Sequence, residues 1–402
     1  IIEMAHSNHS INLDEKFTVP SKQKTIAFVL MAIGIISLGI GFVIYKDNPE
    51  RIWANLLLDS VFFLGIVMAS AFFMAAHYVA WGGWWVVLRR VAESISSLLP
   101  YAVGILALVL ILGHHQLYEW THKEVVDPDP ILKGKTAYLN LPFFFIRFAF
   151  FLGILIFFNW LMRKSSMNED KIGGMTEHKA SLKWASLFLL FFAVYISVSA
   201  WDWIMSLDPH WFSTMFAWYA FASYWVSGIS VLTLTVVYLK RKGYLSFVTE
   251  NHLHDLGKYM FAFTVFWTYV TYDQFMLIWY ANIPEETIYF KQRFMNYEGL
   301  FFLVWILNFI VPFFSLIRRD EKRKMKSLTI VACIIILGHF LDYYLMVMPA
   351  TVKENHSFGI VELRLPCFYI ALFLYMVFAY MAQRPLLAKN SPYLKESLNH
   401  HI

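Results

Sequence analysis

Apolar runs long enough to cross a lipid bilayer recur ten times along this chain. A transmembrane α-helix needs about 20 predominantly apolar residues. The chain is 59% hydrophobic and only 15% charged, whereas a soluble domain carries about a quarter charged residues. The sequence therefore predicts an all-α integral membrane protein with about ten transmembrane helices. The runs lie near residues 24–45, 54–80, 97–114, 137–162, 182–206, 211–239, 256–280, 295–317, 326–348 and 362–383.

The runs follow one another so closely that no stretch remains for a separate soluble domain. Residues 1–402 are predicted to form a single polytopic membrane domain, in which an N-terminal segment (1–23) precedes the first run and a tail (384–402) follows the last. The longest connection (115–136) contains the sequence DPDP and is predicted to be an ordered external loop.

Lysine and arginine are distributed unevenly between the two sets of loops. The loops after even-numbered runs carry nearly twice as many of them as the loops after odd-numbered runs. Because cytoplasmic loops are enriched in these residues, both termini are predicted to be cytoplasmic. Arg89, Arg90 and Glu93 indicate an interfacial segment before the third run. The net charge of +5 is too small and too scattered to indicate a nucleic-acid partner.

The stretch WDWIMSLDPHW (201–211) lies at the predicted outer face, between the fifth and sixth runs. Asp208 followed by Pro209 predicts an N-cap and first turn for the sixth helix, and the tryptophans are typical of an interfacial aromatic belt. His210 is predicted to be interfacial rather than a metal ligand. Asp202 lies about one turn inside the membrane, and capping does not explain it.

Ionisable residues within the predicted spans concentrate in their outer halves. A charge at the bilayer centre costs roughly 2.5–3.5 kcal/mol, so these residues must pair, face a polar interior or bind protons. His339 and Asp342 share one helix face because they are three residues apart. Two interpretations stay open, namely structural ion pairs made by Arg147 or Arg364, and a proton path or ligand pocket that opens outward. The set comprises Asp59, Arg147, Asp202, Asp273, Glu298, His339, Asp342, Glu362 and Arg364.

The chain offers no ligand set for a redox cofactor of its own. Cys333 and Cys367 are the only cysteines, whereas an iron–sulfur cluster normally takes four, and no CxxCH motif is present for c-type haem. His77 and His339 fall at different predicted depths, so they do not form a pair of haem ligands. The sequence therefore predicts that this chain binds no haem, metal or cluster.

Two features of the helix interiors favour packing over transport. Tyr219, Ser223, Ser227 and Ser230 lie on one face of the sixth run, and faces of small residues mostly pack helices together. Secondary transporters usually have helices broken by glycine or proline near mid-membrane, whereas the prolines here lie mostly near the ends of the runs. An independent secondary transporter is therefore the weaker alternative.

Three long stretches of the sequence carry a resemblance to a known family. They are SAWDWIMSLDPHWFSTMFAWY (199–219), HDLGKYMFAFTVFWTYVTYDQFMLIWYANIPEET (254–287) and GHFLDYYLMVMP (338–349). The chain resembles the polysulfide-reductase-like (NrfD-type) membrane-protein family, in particular the F-type membrane subunits of bacterial alternative complex III. The resemblance extends over nearly the whole chain.

This resemblance implies two four-helix bundles, at residues 54–206 and 211–348, with a flanking helix at each end. It implies a place in the bacterial inner (cytoplasmic) membrane, in a complex that oxidises menaquinol or ubiquinol and reduces cytochrome c or an oxidase. The implied partners are a homologous quinol-binding membrane subunit, an iron–sulfur subunit, haem c subunits, small membrane anchors, a terminal oxidase in some complexes, and lipids. The haem c and the iron–sulfur clusters would lie in those partner subunits.

The same resemblance implies that the chain is not catalytic alone. Its expected contribution is a scaffold together with a proton path or quinone-side pocket, and a purely structural subunit is a further alternative. The residues that the matching motifs single out for such a path or pocket are Asp202, Asp208, His210, Asp273, His339 and Asp342.

Overall fold

Ten long helices dominate the computed structural model, which describes residues 14–353 and 358–401. Within these ranges the chain forms helices and loops without a β-strand. Each predicted run corresponds to one long helix, so the all-α class is confirmed. The helices are α1 (Ser21–Ile44), α2 (Pro49–Val79), α3 (Leu99–Leu117), α4 (Leu141–Ile172), α5 (Met175–Trp203), α6 (Phe216–Arg241), α7 (Glu250–Ala281), α8 (Glu298–Leu316), α9 (Met325–Thr351) and α10 (Ile360–Ala382).

Most of these helices have the length and apolarity of membrane spans. In the part of the chain that the structure describes, nine helices are long and apolar enough to cross a membrane, and α7 is the long helix outside that set. Its 32 residues are sufficient in length, but threonine, tyrosine, Asp273 and Gln274 interrupt its apolar character. The chain is a multi-pass, all-α membrane protein.

The helices pack as two groups around a shared centre. In the first group α2 contacts α3 and α5, and α4 pairs with α5; in the second group α6 contacts α7 and α9, and α8 lies against both of these. The groups meet where α2 crosses α6. A Cβ atom on Gly228 would lie 2.3 Å from the Cβ of Ala69, and one on Gly65 would lie 2.7 Å from the Cβ of Tyr224. Glycine thus permits this close crossing. Helices α1 and α10 pair along the outside of α2.

The connections gather at two opposite ends of the molecule. Lys353 approaches Glu119 to 3.7 Å, and Trp211 donates to the carbonyl of Glu286 at 3.2 Å, so connections that follow odd-numbered helices meet at one end. We call this the outer end, after the predicted topology, and the opposite one the inner end. Consecutive spans cross the membrane in opposite directions, so every second connection must lie at the same end. The side of the membrane on which each end lies stays a prediction.

A shorter helix, Pro284–Asn296, lies between α7 and α8 at the outer end. We call it the outer helix. It buries Tyr289, Phe290 and Arg293 against the second bundle. The tryptophan ring of Trp211, from the connection between α5 and α6, stacks on Tyr289 with the ring centres 4.0 Å apart. The outer helix therefore covers the second bundle at this end.

The C-terminal segment, residues 383–401, lies across the inner end and touches both bundles. Asn390 donates to the carbonyl of Asp170 in α4 at 2.6 Å, and the Ser397 hydroxyl donates to the carbonyl of Trp84 at 2.6 Å. His400 pairs with Asp255 in α7 at 2.6 Å. The region predicted as a tail thus links the inner ends of the two bundles.

Candidate functional site

Asp342 lies at the centre of a buried polar cluster in the outer half of the second bundle. Its Oδ1 accepts a hydrogen bond from the Tyr219 hydroxyl. Its Oδ2 accepts one from the Ser223 hydroxyl at 2.9 Å and one from Trp267 Nε1 at 3.0 Å. His339 Nδ1 lies 3.7 Å from the same oxygen. Helices α6, α7 and α9 therefore each supply a side chain to one carboxyl group.

Ser223 connects His339 to Asp342. Its hydroxyl donates to Asp342 and also lies 2.9 Å from His339 Nδ1. Because the single hydroxyl proton points to the carboxylate, the oxygen of Ser223 is left to accept from an N–H at Nδ1. The three groups thus form a continuous line from imidazole to hydroxyl to carboxyl. Such a line can carry a proton between two titratable groups.

A cavity lies beside Asp342, between the second bundle and the outer helix. It has room for about one water molecule and is lined by aromatic rings together with a few polar groups. Arg293 lies at its edge: Nη1 donates to the Tyr289 carbonyl at 2.7 Å, and the guanidinium carbon lies 3.2 Å from the centre of the Tyr289 ring. Burial lowers the pKa of Arg293 and raises that of Tyr289 to about 12. The lining residues include Tyr219, Trp267, Thr271, Gln274, Tyr289, Arg293, Trp305 and Asp342.

Several buried polar atoms around this cluster have no hydrogen-bond partner within the described part of the chain. In the cavity lining they are Arg293 Nε and Gln274 Oε1, and deeper in the bundle they are His339 Nε2, the Asn308 amide and Thr264 Oγ1. Asn308 belongs to a π-helical turn of α8 (Ile306–Ile310), and such turns occur often at functional sites. Unpaired buried polar groups are rare in proteins, so this concentration indicates a polar interior.

Asp202 is held by a different residue in the first bundle. Arg147 of α4 binds it through two hydrogen bonds, Nε to Oδ2 at 2.7 Å and Nη2 to Oδ1 at 3.0 Å. The guanidinium also donates to the backbone carbonyl of Tyr138 at 3.1 Å, and its carbon lies 3.9 Å from the centre of the Tyr138 ring. The structure therefore pairs Asp202 with Arg147 and does not join it to the cluster of His339 and Asp342.

Asp208 and His210 lie in the loop between α5 and α6. The cap predicted for Asp208 is wrong, because α6 begins at Phe216 and the residue before it is Met215. Residues that looked like the start of a span are instead loop residues packed against the outer helix, Trp211 among them. His210 Nε2 lies 2.5 Å from Asp129 Oδ2 at the protein surface. Neither Asp208 nor His210 lines the cavity.

Asp273 is half-buried on α7 and makes no hydrogen bond or ion pair with another described residue. Its neighbour Gln274 faces the cavity. Consecutive residues of a helix point about 100° apart, so the acid lies outside the cavity that its neighbour lines.

Sequence reasoning did not find the network of charges at the inner end. Arg89, Arg90 and Glu93, which were predicted to be interfacial, are buried inside the protein. Arg89 pairs with Glu169 at 2.8 Å, and Arg90 pairs with both Glu93 and Asp170. The two acids of α4 lie 80 residues further along the chain than the arginines they pair with, and nothing in the local sequence marks them as partners.

A second ion pair joins the outer ends of α2 and α10. Arg51 Nε lies 2.6 Å from Glu362 Oε1, so Glu362 is neutralised by Arg51 rather than by the predicted Arg364. Asp59 lies about two turns further along α2. It is buried, and its Oδ2 has no hydrogen-bond partner in the described chain. Among the predicted ion-pair residues, Arg147 is the arginine that the structure confirms.

The described residues include no group of three or more histidine, cysteine, aspartate or glutamate side chains that could hold a metal ion. The predicted lack of an intrinsic metal or haem stays a prediction. The chain matches no protein-family model, and it matches no curated protein.

Proposed function

We propose that this chain is a membrane subunit of a quinol:cytochrome c or quinol:oxidase oxidoreductase complex, without a redox cofactor of its own. It would act as a scaffold and contribute the Asp342 cluster as a proton path or quinone-side pocket. The observation that carries the proposal is the line of His339, Ser223 and Asp342 beside a polar cavity. Intramembrane acids and histidines of this kind usually belong to proton relays or ligand sites.

The residues of the cluster suit the handling of protons. The hydrogen bonds as formed run from His339 Nδ1 to the Ser223 hydroxyl and from there to Asp342 Oδ2, so a proton can pass along them from the imidazole to the carboxyl group. Transfer from Asp342 to His339 requires the Ser223 hydroxyl to turn toward a deprotonated Nδ1. His339 Nε2 then faces the interior without a partner among the described residues. Arg293 places a positive charge at the cavity edge, which opposes the entry of cations from the outer end.

A quinol head group matches the lining of the cavity in chemical type, and its entry would require the lining side chains to move apart, since the cavity as it stands has room for about one water molecule. Gln274 Oε1 would accept from a hydroxyl, Arg293 Nε would donate to an oxygen, and the rings of Trp267 and Tyr289 would cover an aromatic face. Bound there, a quinol would supply protons on oxidation, and Asp342 is the nearest group of the lining able to accept one.

The buried ion pairs support the scaffold role. Arg51 with Glu362, Arg89 with Glu169, and Arg147 with Asp202 each join two different helices. These pairs also favour the alternative of a purely structural subunit. That alternative differs from the proposal only in that the Asp342 cluster neither transfers protons nor binds quinol. Membership in a bacterial inner-membrane complex, with cytoplasmic termini and the partners named above, belongs to the same proposal.

The deciding experiment compares Asp342→Asn with Ser227→Ala in the complex purified from native membranes. Asparagine keeps the volume and some hydrogen bonds but cannot hold a transferable proton. Quinol oxidation or coupled proton release should fall by at least about tenfold, since positioned proton transfer contributes 10²–10⁴-fold, while the yield of complex stays close to normal. Ser227 donates only to the Ser223 carbonyl of its own helix, so its variant should leave both activities intact. Normal turnover and proton release in Asp342→Asn would leave the structural alternative.

A further inference from the structure

One helix presents polar aromatic side chains where a membrane protein would ordinarily face lipid. On α7 four of the exposed residues follow at intervals of three and four, which places them on one stripe along the helix. Tyr269 is 63% exposed and Tyr272 is 55% exposed, and Met276 and Tyr280 continue the stripe toward the outer end. Asp273 lies beside them and is half-buried. We call these five residues the α7 face.

At the same depth, the exposed faces of α3 and α5 have a different chemistry. On α5 the exposed positions at similar depth are Leu190 and Val194, and on α3 they are Leu108 and Leu112. These faces consist of aliphatic side chains, which suit lipid tails. The α7 face instead carries three phenol hydroxyls and a carboxyl group, and α7 is the long helix that falls outside the set apolar enough to be a span.

The depth of these groups distinguishes them from an interfacial aromatic belt. Tyr280 lies next to the end of α7 at Ala281, where tyrosine is common at the lipid–water boundary. Asp273 and Tyr269 lie eight and twelve residues before that end, roughly 12 and 18 Å deeper at about 1.5 Å per residue. An acid at that depth without a partner is expensive in hydrocarbon. Something other than lipid must therefore cover it.

We propose that a transmembrane helix of a different subunit packs on the α7 face and gives Asp273 a lysine, arginine or amide donor. Charge complementarity favours a different polypeptide over a second copy of this chain. In a twofold contact the same face would meet itself, so Asp273 would approach another carboxyl group. The α7 face contains no cation to neutralise it. In membranes such interhelical hydrogen bonds and close packing drive association.

This inference deepens the proposed function, since it rests on the chain being a subunit and names the surface on which a partner lies. It does not depend on the Asp342 cluster. With a partner helix on α7, the role of Asp273 would be to bind that partner rather than to line the predicted proton path or pocket.

Site-specific photo-crosslinking in native membranes tests the inference. p-Benzoylphenylalanine would be placed at position 272 and, as the matched control, at position 194. Both positions lie nine residues before the end of their helix, and Tyr272 and Val194 are 55% and 51% exposed. Position 272 should crosslink to a transmembrane segment of another polypeptide, identified by mass spectrometry as carrying a basic or amide side chain. Position 194 should crosslink to lipid alone.

The dependence on Asp273 provides the second measurement. Asp273→Leu should reduce the crosslink at position 272 several-fold, and Asp273→Asn, which can still hydrogen-bond, should reduce it less. A crosslink between two copies of this chain, or lipid alone at position 272, would overturn the inference. A crosslinked partner that belongs to no redox complex would uphold the inference and contradict the proposed function, whereas quinol oxidation without this crosslink would do the reverse.

Discussion

Each bundle has a buried aspartate in the outer half of a helix, and the two carboxyl groups are bound by different kinds of side chain. In the first bundle Asp202 faces Arg147, which binds both carboxylate oxygens. In the second bundle Asp342 faces neutral donors, with His339 behind Ser223. A bidentate arginine fixes the ionised form of its partner. Neutral donors and a histidine leave room for a change in protonation.

The difference shows that depth in the membrane does not decide what an acid does. Both aspartates lie in comparable sequence settings, since each follows an apolar run and has a tyrosine nearby. The side chain contributed by a second helix decides between anchoring and titration. Mutations that remove this second side chain therefore separate the two roles.

The largest effect is expected for Arg147→Met in the first bundle. It leaves Asp202 buried without its cation, and breaking a buried pair costs roughly 3–5 kcal/mol. The yield of folded protein and its thermal midpoint in lipid nanodiscs should both fall. The double variant Arg147→Met/Asp202→Leu should recover much of the loss, because no isolated charge remains. Unchanged stability of the single variant would remove the distinction between the bundles.

Arg293→Met is the matched control for that substitution. Arg293 is as buried as Arg147 but forms no ion pair with a described residue. The variant loses one hydrogen bond and a cation–π contact of about 0.5–2 kcal/mol, and it gains from removing a desolvated charge. Its thermal midpoint should therefore stay much closer to that of the native protein than the midpoint of Arg147→Met.

A smaller effect is expected for Tyr219→Phe in the second bundle. Asp342 loses one of its three donors, and the loss of a buried hydrogen bond to a carboxyl group costs roughly 1–3 kcal/mol. Tyr343→Phe serves as the control, since the Tyr343 hydroxyl donates to the neutral carbonyl of Ala220 at 3.3 Å. Equal thermal midpoints for the two variants would show that Tyr219 adds nothing specific to the Asp342 cluster.

The smallest effect belongs to the surface pair of His210 and Asp129, which neither bundle buries. The hydrogen bond from His210 is the main cause that lowers the pKa of Asp129 below 3.8. When the pKa of an acid is lower in the folded state, the acid stabilises the fold at any pH above its pKa in the unfolded state. This stabilisation disappears as the pH falls through the pKa of the folded state. The small difference in thermal midpoint between the native protein and His210→Ala should therefore shrink between about pH 5 and about pH 3, and added salt should reduce it as well.

The helices could be predicted from the sequence because lipid imposes a simple rule. Each span needs an apolar run of about 20 residues, and each of the ten runs corresponds to one long helix. The spacing of His339 and Asp342 also placed them correctly on one face, and Arg147 was recognised as a candidate ion-pair residue.

The rule that each span needs an apolar run does not predict which distant residues pair or which loop residues are buried. Arg89 and Glu169 meet only because α4 returns beside the segment before α3, which no local pattern encodes. The start of α6 was placed too early because Trp211 is apolar for another reason, its burial against Tyr289 of the outer helix. The sequence assigned both Ser223 and Ser227 to helix packing. Ser227 donates within its own helix, as packing predicts, whereas the hydroxyl of Ser223 donates to Asp342 on α9.

The position of the C-terminal segment has a consequence for biosynthesis. Residues 383–401 leave the ribosome after all ten helices, yet they supply the contacts of Asn390, Ser397 and His400 with inner ends of both bundles. Domains generally fold in the order in which they are made. The two bundles therefore enter the membrane before their inner ends are joined, and the residues translated after α10 are those that join them.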